Sequence, residues 1–320
     1  MNNAPIGIFD SGLGGLTVAR AVIDKLPDEE IIYLGDTEHT PYGPRAIAQV
    51  RSLTLSALDE LASRGVKALV IACNTATAAA LADARERYWI DAGIPVVEVI
   101  TPAARQSVIA TRNHHVGVIG TKATIQSEAY LRALAAVPGL TVSQQACPAF
   151  VDFVEAGVTT GEEIEAVARE YLTPLKEAGV DTLILGCTHY PLLTGVIGRV
   201  MGEGVALVTS SEATANVTYN ELVDRGLLHD PWPEGTGPQH QFLATGASEN
   251  FPRLARRFLG PEVGSVVRVN TRGGLALSSL SSARQVPCRD RSLPPLPIWF
   301  RRAALTVRPV RSVPSLWCVT

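Results

Sequence analysis

Short apolar runs, each stopped by a glycine or a small polar residue and followed by a helix-like pattern, recur along this 320-residue chain. Two of them are close in form: Ala68-Leu-Val-Ile-Ala-Cys-Asn-Thr-Ala-Thr77 and Thr182-Leu-Ile-Leu-Gly-Cys-Thr-His-Tyr-Pro-Leu-Leu193. An unbroken apolar run bounded by a turn signal reads as a parallel strand buried on both faces. Its C-terminal end opens into a loop, which is where open α/β sheets bind ligands. Each run delivers a cysteine, Cys73 or Cys187, to that place.

The same pattern extends to the rest of the chain. Pro5-Ile-Gly-Ile-Phe-Asp-Ser-Gly-Leu-Gly-Gly15 predicts a strand and a glycine-rich turn before a helix over 16–26, with Asp10 and Ser11 at the strand end. The glycines allow close backbone approach, and the helix N-terminus favours an anion; their spacing does not match the dinucleotide GxGxxG fingerprint. A strand over 31–34 runs into the turn-rich Gly35-Asp-Thr-Glu-His-Thr-Pro-Tyr-Gly-Pro44, and helices are predicted over 46–64 and 77–88. After a strand over 94–100 the pattern restarts at Val116-Gly-Val-Ile-Gly-Thr121. A strand over 142–146 follows, then a short helix over 150–157 ended by glycine, and a helix over 162–178 that Pro174 ends or bends. A strand over 205–208, a helix over 212–225 and a strand over 241–244 complete the series.

Alternation of this kind implies an α/β chain with two doubly wound parallel sheets. The paired motifs suggest pseudo-two-fold symmetry, with the active site between the halves. The expected division is 1–99 plus 209–269 for a first domain to which the chain returns, 100–208 for a second, and 270–320 as an atypical tail.

Charge separates that tail from the body. Residues 270–320 hold eight Arg and one acid, leaving 20 basic and 30 acidic side chains before them, in a chain of net charge −3. The body has no basic stripe of the kind that binds nucleic acid. No run has the length of a membrane span, no secretory signal is visible, and the five cysteines form no CxxC pair. A reduced, cytoplasmic protein is the default expectation. The tail has no periodicity and is rich in Arg, Ser and Pro, so it reads as disordered. Its abrupt onset after Val269 suggests a shifted reading frame or aberrant extension; a functional basic tail is the alternative.

Buried cysteines are usually inert packing. Cys73 and Cys187 differ because each lies past its apolar run, where backbone N–H groups and a helix dipole stabilise a thiolate. Cys147, before Pro148, has a weaker case. Such a pair suits a redox disulfide, a zinc site using His189 and Cys147, a nucleophile with His189 as its base, or two acid–base groups. The last option uses both thiols: one removes a proton from a carbon while the other delivers one to the opposite face. Taken singly, Asp10, Ser11, Asn74, Thr75 and Thr188 are also ordinary caps or turn formers. Asp36 fits a loop cap better than a direct role. Pyridoxal phosphate would need a lysine; of Lys25, Lys67, Lys122 and Lys176 only Lys122 sits at a strand end, and both thiols would then have no task. His114-His115 reads as a solvated loop pair.

The set Phe9-Asp-Ser-Gly-Leu-Gly-Gly-Leu-Thr17, Gly35-Asp-Thr37, Pro41-Tyr-Gly43, Ala72-Cys-Asn-Thr75, Val118-Ile-Gly-Thr121, Phe150-Val-Asp-Phe-Val-Glu155 and Leu185-Gly-Cys-Thr-His-Tyr-Pro191 closely resembles the glutamate racemases of the aspartate/glutamate racemase family. The likeness runs from about Ile6 to about Val269, with the motifs in family order. It implies a cofactor-independent and metal-free racemase that interconverts L- and D-glutamate and supplies D-glutamate to peptidoglycan. It also implies a small-molecule substrate as the partner, with a homodimer as one expected assembly. Carried over by position, Cys73 and Cys187 match the catalytic thiols, with Asp10 near the first and Glu155 and His189 near the second. Asp10, Ser11, Tyr42, Gly43, Asn74, Thr75, Thr121, Thr188 and His189 match substrate-binding positions. The loop Glu38-His-Thr40 departs from the pattern, and His39 there could affect substrate access.

Removing 270–320 is expected to leave turnover unchanged if the tail is extraneous. A truncated protein that no longer folds or turns over would refute that.

Overall fold

Parallel pairing accounts for every strand of the computed structural model, which describes residues 2–246, 251–260 and 265–271. The strands are β1 (Ile6–Asp10), β2 (Ile31–Gly35), β3 (Ala68–Ile71), β4 (Val96–Glu98), β5 (His115–Gly120), β6 (Thr141–Ala146), β7 (Thr182–Gly186), β8 (Ala206–Thr209), β9 (Gln241–Ala244) and β10 (Val266–Arg268). They form two sheets, ordered β10-β9-β2-β1-β3-β4 and β6-β5-β7-β8. The helices are α1 (Leu16–Lys25), α2 (Ile47–Ser63), α3 (Asn74–Ala84), α4 (Ile100–Ala110), α5 (Lys122–Gln126), α6 (Ala129–Leu134), α7 (Ala149–Ala156), α8 (Glu162–Glu177), α9 (Thr194–Met201), α10 (Ser210–Asp224) and α11 (Phe251–Leu259).

The apolar runs follow from burial on both faces. Along β1, Ile6 and Ile8 enter one core while Phe9 enters another; along β3, Ala68 and Val70 oppose Leu69 and Ile71 in the same way. Side chains alternate with period two, so a strand covered on both sides needs apolar residues at every position. The larger core continues from the first sheet to Val116, Val118 and Leu183 of the second. α10 packs on both α1 and α4. The chain returns to the first sheet through β9, paired with β2, and β10.

The first four strands of each sheet share one order. β1 is flanked by β2 and β3, with β4 outside β3; β5 is flanked by β6 and β7, with β8 outside β7. This is the expected pseudo-symmetry expressed as topology. It also creates a switch point in each sheet, because successive strands are laid on opposite sides of the first, and such points open ligand crevices. Asp10 ends β1 and Cys73 follows β3; Thr121 follows β5 and Cys187 follows β7.

Several expected boundaries move. The helix expected over 77–88 begins at Asn74, directly after Cys73, because the cysteine sulfur caps it by accepting from the Ala76 N–H. Its last six residues are π-helical, over Arg85–Ile90. The strand expected over 94–100 is confined to Val96–Glu98, since the Glu98 carboxylate accepts the N–H groups of Ile100 and Thr101 and starts α4. Pro174 does not end α8, which runs to Glu177. A proline removes one internal bond, and so close to the C-terminus little helix remains to be disrupted. His115 is not a loop residue: it opens β5, with its ring Nε2 2.9 Å from Ser143 Oγ. α4, α9, α11 and β10 go beyond the sequence expectations. In α11, Phe251, Ala255, Phe258 and Leu259 are buried at helical spacing. The expected tail falls outside the described residues from 272 onward.

A buried ion pair closes the end of the first sheet remote from the thiols. Lys67 Nζ is 2.5 Å from Glu29 Oε2 and donates to the Asn2 carbonyl at 2.7 Å, while Glu29 Oε1 accepts the His229 N–H at 2.8 Å. Truncating one partner strands the other charge away from water. Lys67→Met should therefore cost about 3–5 kcal/mol in urea unfolding; a loss well below 1 kcal/mol would show that the pair is not the tie described.

Candidate active site

Eleven of the twelve site positions expected from sequence line one small cavity: Ser11, Tyr42, Gly43, Cys73, Asn74, Thr75, Thr121, Glu155, Cys187, Thr188 and His189. The twelfth, Asp10, is buried behind them. Thr40, Pro41, Val151 and Gly186 complete the wall.

Cys73 sits where β3 ends and α3 begins. Its sulfur accepts the Ala76 N–H at 3.4 Å and lies 3.3 Å from Ser11 Oγ, to which it donates. Burial and the nearby Asp10 carboxylate push the thiol up to about 12, against the helix N–H and Ser11, which favour the thiolate. On balance these influences favour the neutral thiol. Asp10 itself is raised by burial, opposed by the His189 charge and by the N–H groups of Gly15, Gly12 and Ser11. Its Oδ2 accepts from Gly12 N at 2.9 Å, while Oδ1 has no partner among the described residues.

Cys187 faces different company. Its sulfur is 3.8 Å from His189 Nδ1, and His189 Nε2 lies 3.3 Å from Glu155 Oε1, an ion-pair distance without hydrogen-bond alignment. Burial works against a charged imidazole. The hydrogen-bonding groups of Cys187 and Glu155, with the charges of Cys187 and Asp10, outweigh it and raise His189 from 6.5 to about 10. Phe258 of α11 packs edge-on to the imidazole, with ring centroids 5.7 Å apart. A Cβ on Gly14 would fall 2.4 Å from both His189 Nδ1 and Thr188 Oγ1, so the first glycine-rich turn can approach the second thiol's neighbours only without a side chain.

Hydroxyls and amides supply the remaining wall. Thr75, Thr121 and Thr124 place their Oγ1 atoms 3.0–3.2 Å from one another. Thr121 also caps α5, accepting from Thr124 N at 3.2 Å. Thr124 is buried outside the cavity lining, and nothing in its sequence position marks it. Tyr42 donates to Asp36 Oδ2 at 2.6 Å, and Asp36 also accepts from Thr245 at 2.6 Å and pairs with His39 Nδ1 at 2.8 Å. Asp36 thus supports the loop from behind, and His39 belongs to that support and not to the cavity wall. Cys147 is a buried free thiol whose sulfur donates to the Gln145 carbonyl at 3.7 Å, and burial raises its pKa. Among the described residues no group of three or more His, Cys, Asp or Glu is arranged to hold a metal ion, so the zinc option finds no donor set there.

The family model described as Asp/Glu/Hydantoin racemase matches residues 16–218. The chain belongs to this racemase family. It is 61% identical to a glutamate racemase of Parafrankia sp. (strain EAN1pec) over 83% of this chain and 94% of that protein. It is 59% identical to one from Mycobacterium avium (strain 104), over 82% and 95%. Among solved structures it resembles glutamate racemase RacE1 of Bacillus anthracis, with a TM-score of 0.77 and 41% identity over 84% of this chain and 98% of that one. A Francisella tularensis glutamate racemase in complex with D-glutamate has a TM-score of 0.77 and 35% identity, over 85% and 99%. No described helix is long and apolar enough to cross a membrane.

The raised His189 has a consequence for stability. A group whose pKa is higher folded than unfolded contributes fully below its unfolded value and loses that contribution as pH rises through the folded one. The stability difference between this racemase and its His189→Gln variant should therefore be full near pH 6 and narrow by about 1–3 kcal/mol towards pH 10. Urea melts of both proteins across that range check it; a constant difference would remove the charged imidazole from the account.

Proposed function

We propose that the chain is a glutamate racemase working in the cytoplasm without a cofactor, and that Cys73 and Cys187 carry the reaction as two acid–base groups. One observation carries this reading. The two thiols follow the third strand of two sheets with the same strand order, and both line one cavity.

An amino-acid Cα–H is a very weak acid, so a positioned base must act while the site stabilises developing negative charge. In one direction the sulfur of Cys187, as thiolate, takes the Cα proton, and the Cys73 thiol gives its proton to the opposite face. The configuration inverts, leaving a Cys187 thiol and a Cys73 thiolate. The other direction reverses both transfers. When Cys73 is the base, Ser11, the Ala76 N–H and the substrate ammonium offset the cost of its thiolate. His189, tied to Glu155, places positive charge beside the Cys187 sulfur. Thr75, Thr121, Thr188 and Asn74 provide donors for the substrate carboxylates, and Asp10 faces the ammonium from below. The cavity, about 40 Å³, holds at most a few waters at roughly 10–15 Å³ each. Glutamate therefore enters only if the walls part and then close around it, which excludes water from the carbanionic species. The product D-glutamate would serve peptidoglycan synthesis and so cell shape.

Circular dichroism on purified protein would follow racemisation from each enantiomer. Cys73→Ala and Cys187→Ala should each lower turnover by about 10²–10⁴-fold. In deuterium oxide, product formed from either enantiomer should carry solvent deuterium at Cα. Racemisation undiminished by either substitution would eliminate the two-thiol mechanism.

A further inference from the structure

One residue outside the cavity wall touches both thiol-bearing turns. Tyr130, on α6, is fully buried. Its hydroxyl donates to Asn74 Oδ1 at 2.7 Å, next to Cys73. Its ring lies against Gly186, next to Cys187: a Cβ on that glycine would fall 2.9 Å from Tyr130 Cε2. Cys187 also lies close enough for its charge to add to the burial that holds the phenol neutral. A neutral phenol retains its proton for donation.

Asn74 shows what that proton accomplishes. Its side chain is buried and lines the cavity, and its Nδ2 has no hydrogen-bond partner among the described residues. A buried amide nitrogen left without an acceptor is costly. An Asn amide has one accepting end and one donating end, and either can be turned outward. With the phenol holding the accepting end, the donating end is the one presented to the cavity. Two N–H groups presented there match a carboxylate of the substrate and would repel a cationic or donating group.

We propose that Tyr130 is a positioning residue that locks the Asn74 amide with Nδ2 towards a substrate carboxylate and, through its ring against Gly186, spaces the two thiol-bearing turns. The inference rests on the reading of this cavity as the glutamate site. The hydrogen bond crosses between the halves, beside the Thr75–Thr121 contact: Asn74 begins the helix after β3, while Tyr130 lies in the segment between β5 and β6. The phenol therefore ties the two halves together beneath the substrate.

The test is a double-mutant cycle on the full chain, read as KM and kcat in both directions. Tyr130→Phe keeps the ring and removes only the hydroxyl. It should raise KM about fivefold, the order of one net hydrogen bond, with a smaller effect on kcat and with thermal unfolding checked in parallel. Asn74→Ala should raise KM at least as much, and adding Tyr130→Phe to it should have no further effect. Asn74→Asp tests the same polarity without altering Tyr130, because it leaves the phenol an acceptor but replaces the outward donor by an anion. It should raise KM more than Asn74→Ala. A Tyr130→Phe enzyme with unchanged KM, effects that multiply in the double variant, or Asn74→Asp milder than Asn74→Ala would each overturn the proposal. Asn74→Ala without effect would instead refute Asn74 as a substrate contact, so the two failures are distinguishable.

Discussion

Ionisable groups at the inner ends of two parallel sheets are removed from water, and their remaining partners are few: helix N–H groups, hydroxyls and one another. Desolvation is the largest influence on Asp10, Cys73 and His189 alike. It favours the neutral form in each case. Asp10 and Cys73 follow it, while His189 does not, because an acid on one side and a sulfur on the other favour its charge. The same positive charge works against the rise of Asp10. The rest of the fold can be seen as what brings these groups together, with Asp10 Oδ1 and His189 Nε2 left without a hydrogen-bond partner among the described residues.

Close approach is the second requirement, and glycine meets it at two places. Gly14 lets the turn after β1 reach His189 and Thr188, across from one sheet to the other. Gly186 lets the turn after β7 settle on Tyr130 and the Ile119 carbonyl. A methyl group at either point would fall within 3 Å of its neighbours, separating surfaces whose polar groups depend on mutual contact. Well-packed interiors accommodate such additions only by shifting.

The strands were legible because a parallel strand covered on both faces has to be apolar throughout, and the turns because glycine and small polar residues mark its end. That is why Cys73 and Cys187 could be singled out: each breaks the pattern at the point where a ligand crevice is expected. The supporting residues carry no such mark. Asp36 resembles any loop acid until Tyr42, Thr245 and His39 are seen around it, and two of those contacts join residues close in sequence while Thr245 comes from the returning chain. Tyr130 reads as an ordinary aromatic in a helix, since its partner Asn74 opens the helix after a strand of the other sheet. The start of α3 was misplaced because a cysteine is a rare helix cap and the polar Asn74 and Thr75 obscure the helical period. Local periodicity records which face is buried; it does not record what lies across the gap.

Equal topology has not produced equal surroundings for the two thiols. Cys73 has a carboxylate, a hydroxyl and a helix N–H as neighbours, whereas Cys187 has an imidazole tied to a glutamate. In the proposed mechanism one thiol must hold a proton when the other does not, and two identical settings would leave that choice to chance. In that mechanism the acidic neighbour at Cys73 favours the protonated thiol there, while Cys187 has the His189 imidazole 3.8 Å from its sulfur. The reverse reaction must then start from the opposite arrangement, and in the proposed mechanism a substrate ammonium near Asp10 would be the added charge that favours it. On the proposed reading, the near-symmetry of the fold serves access to both faces of one carbon, and the departure from symmetry distinguishes the two thiols.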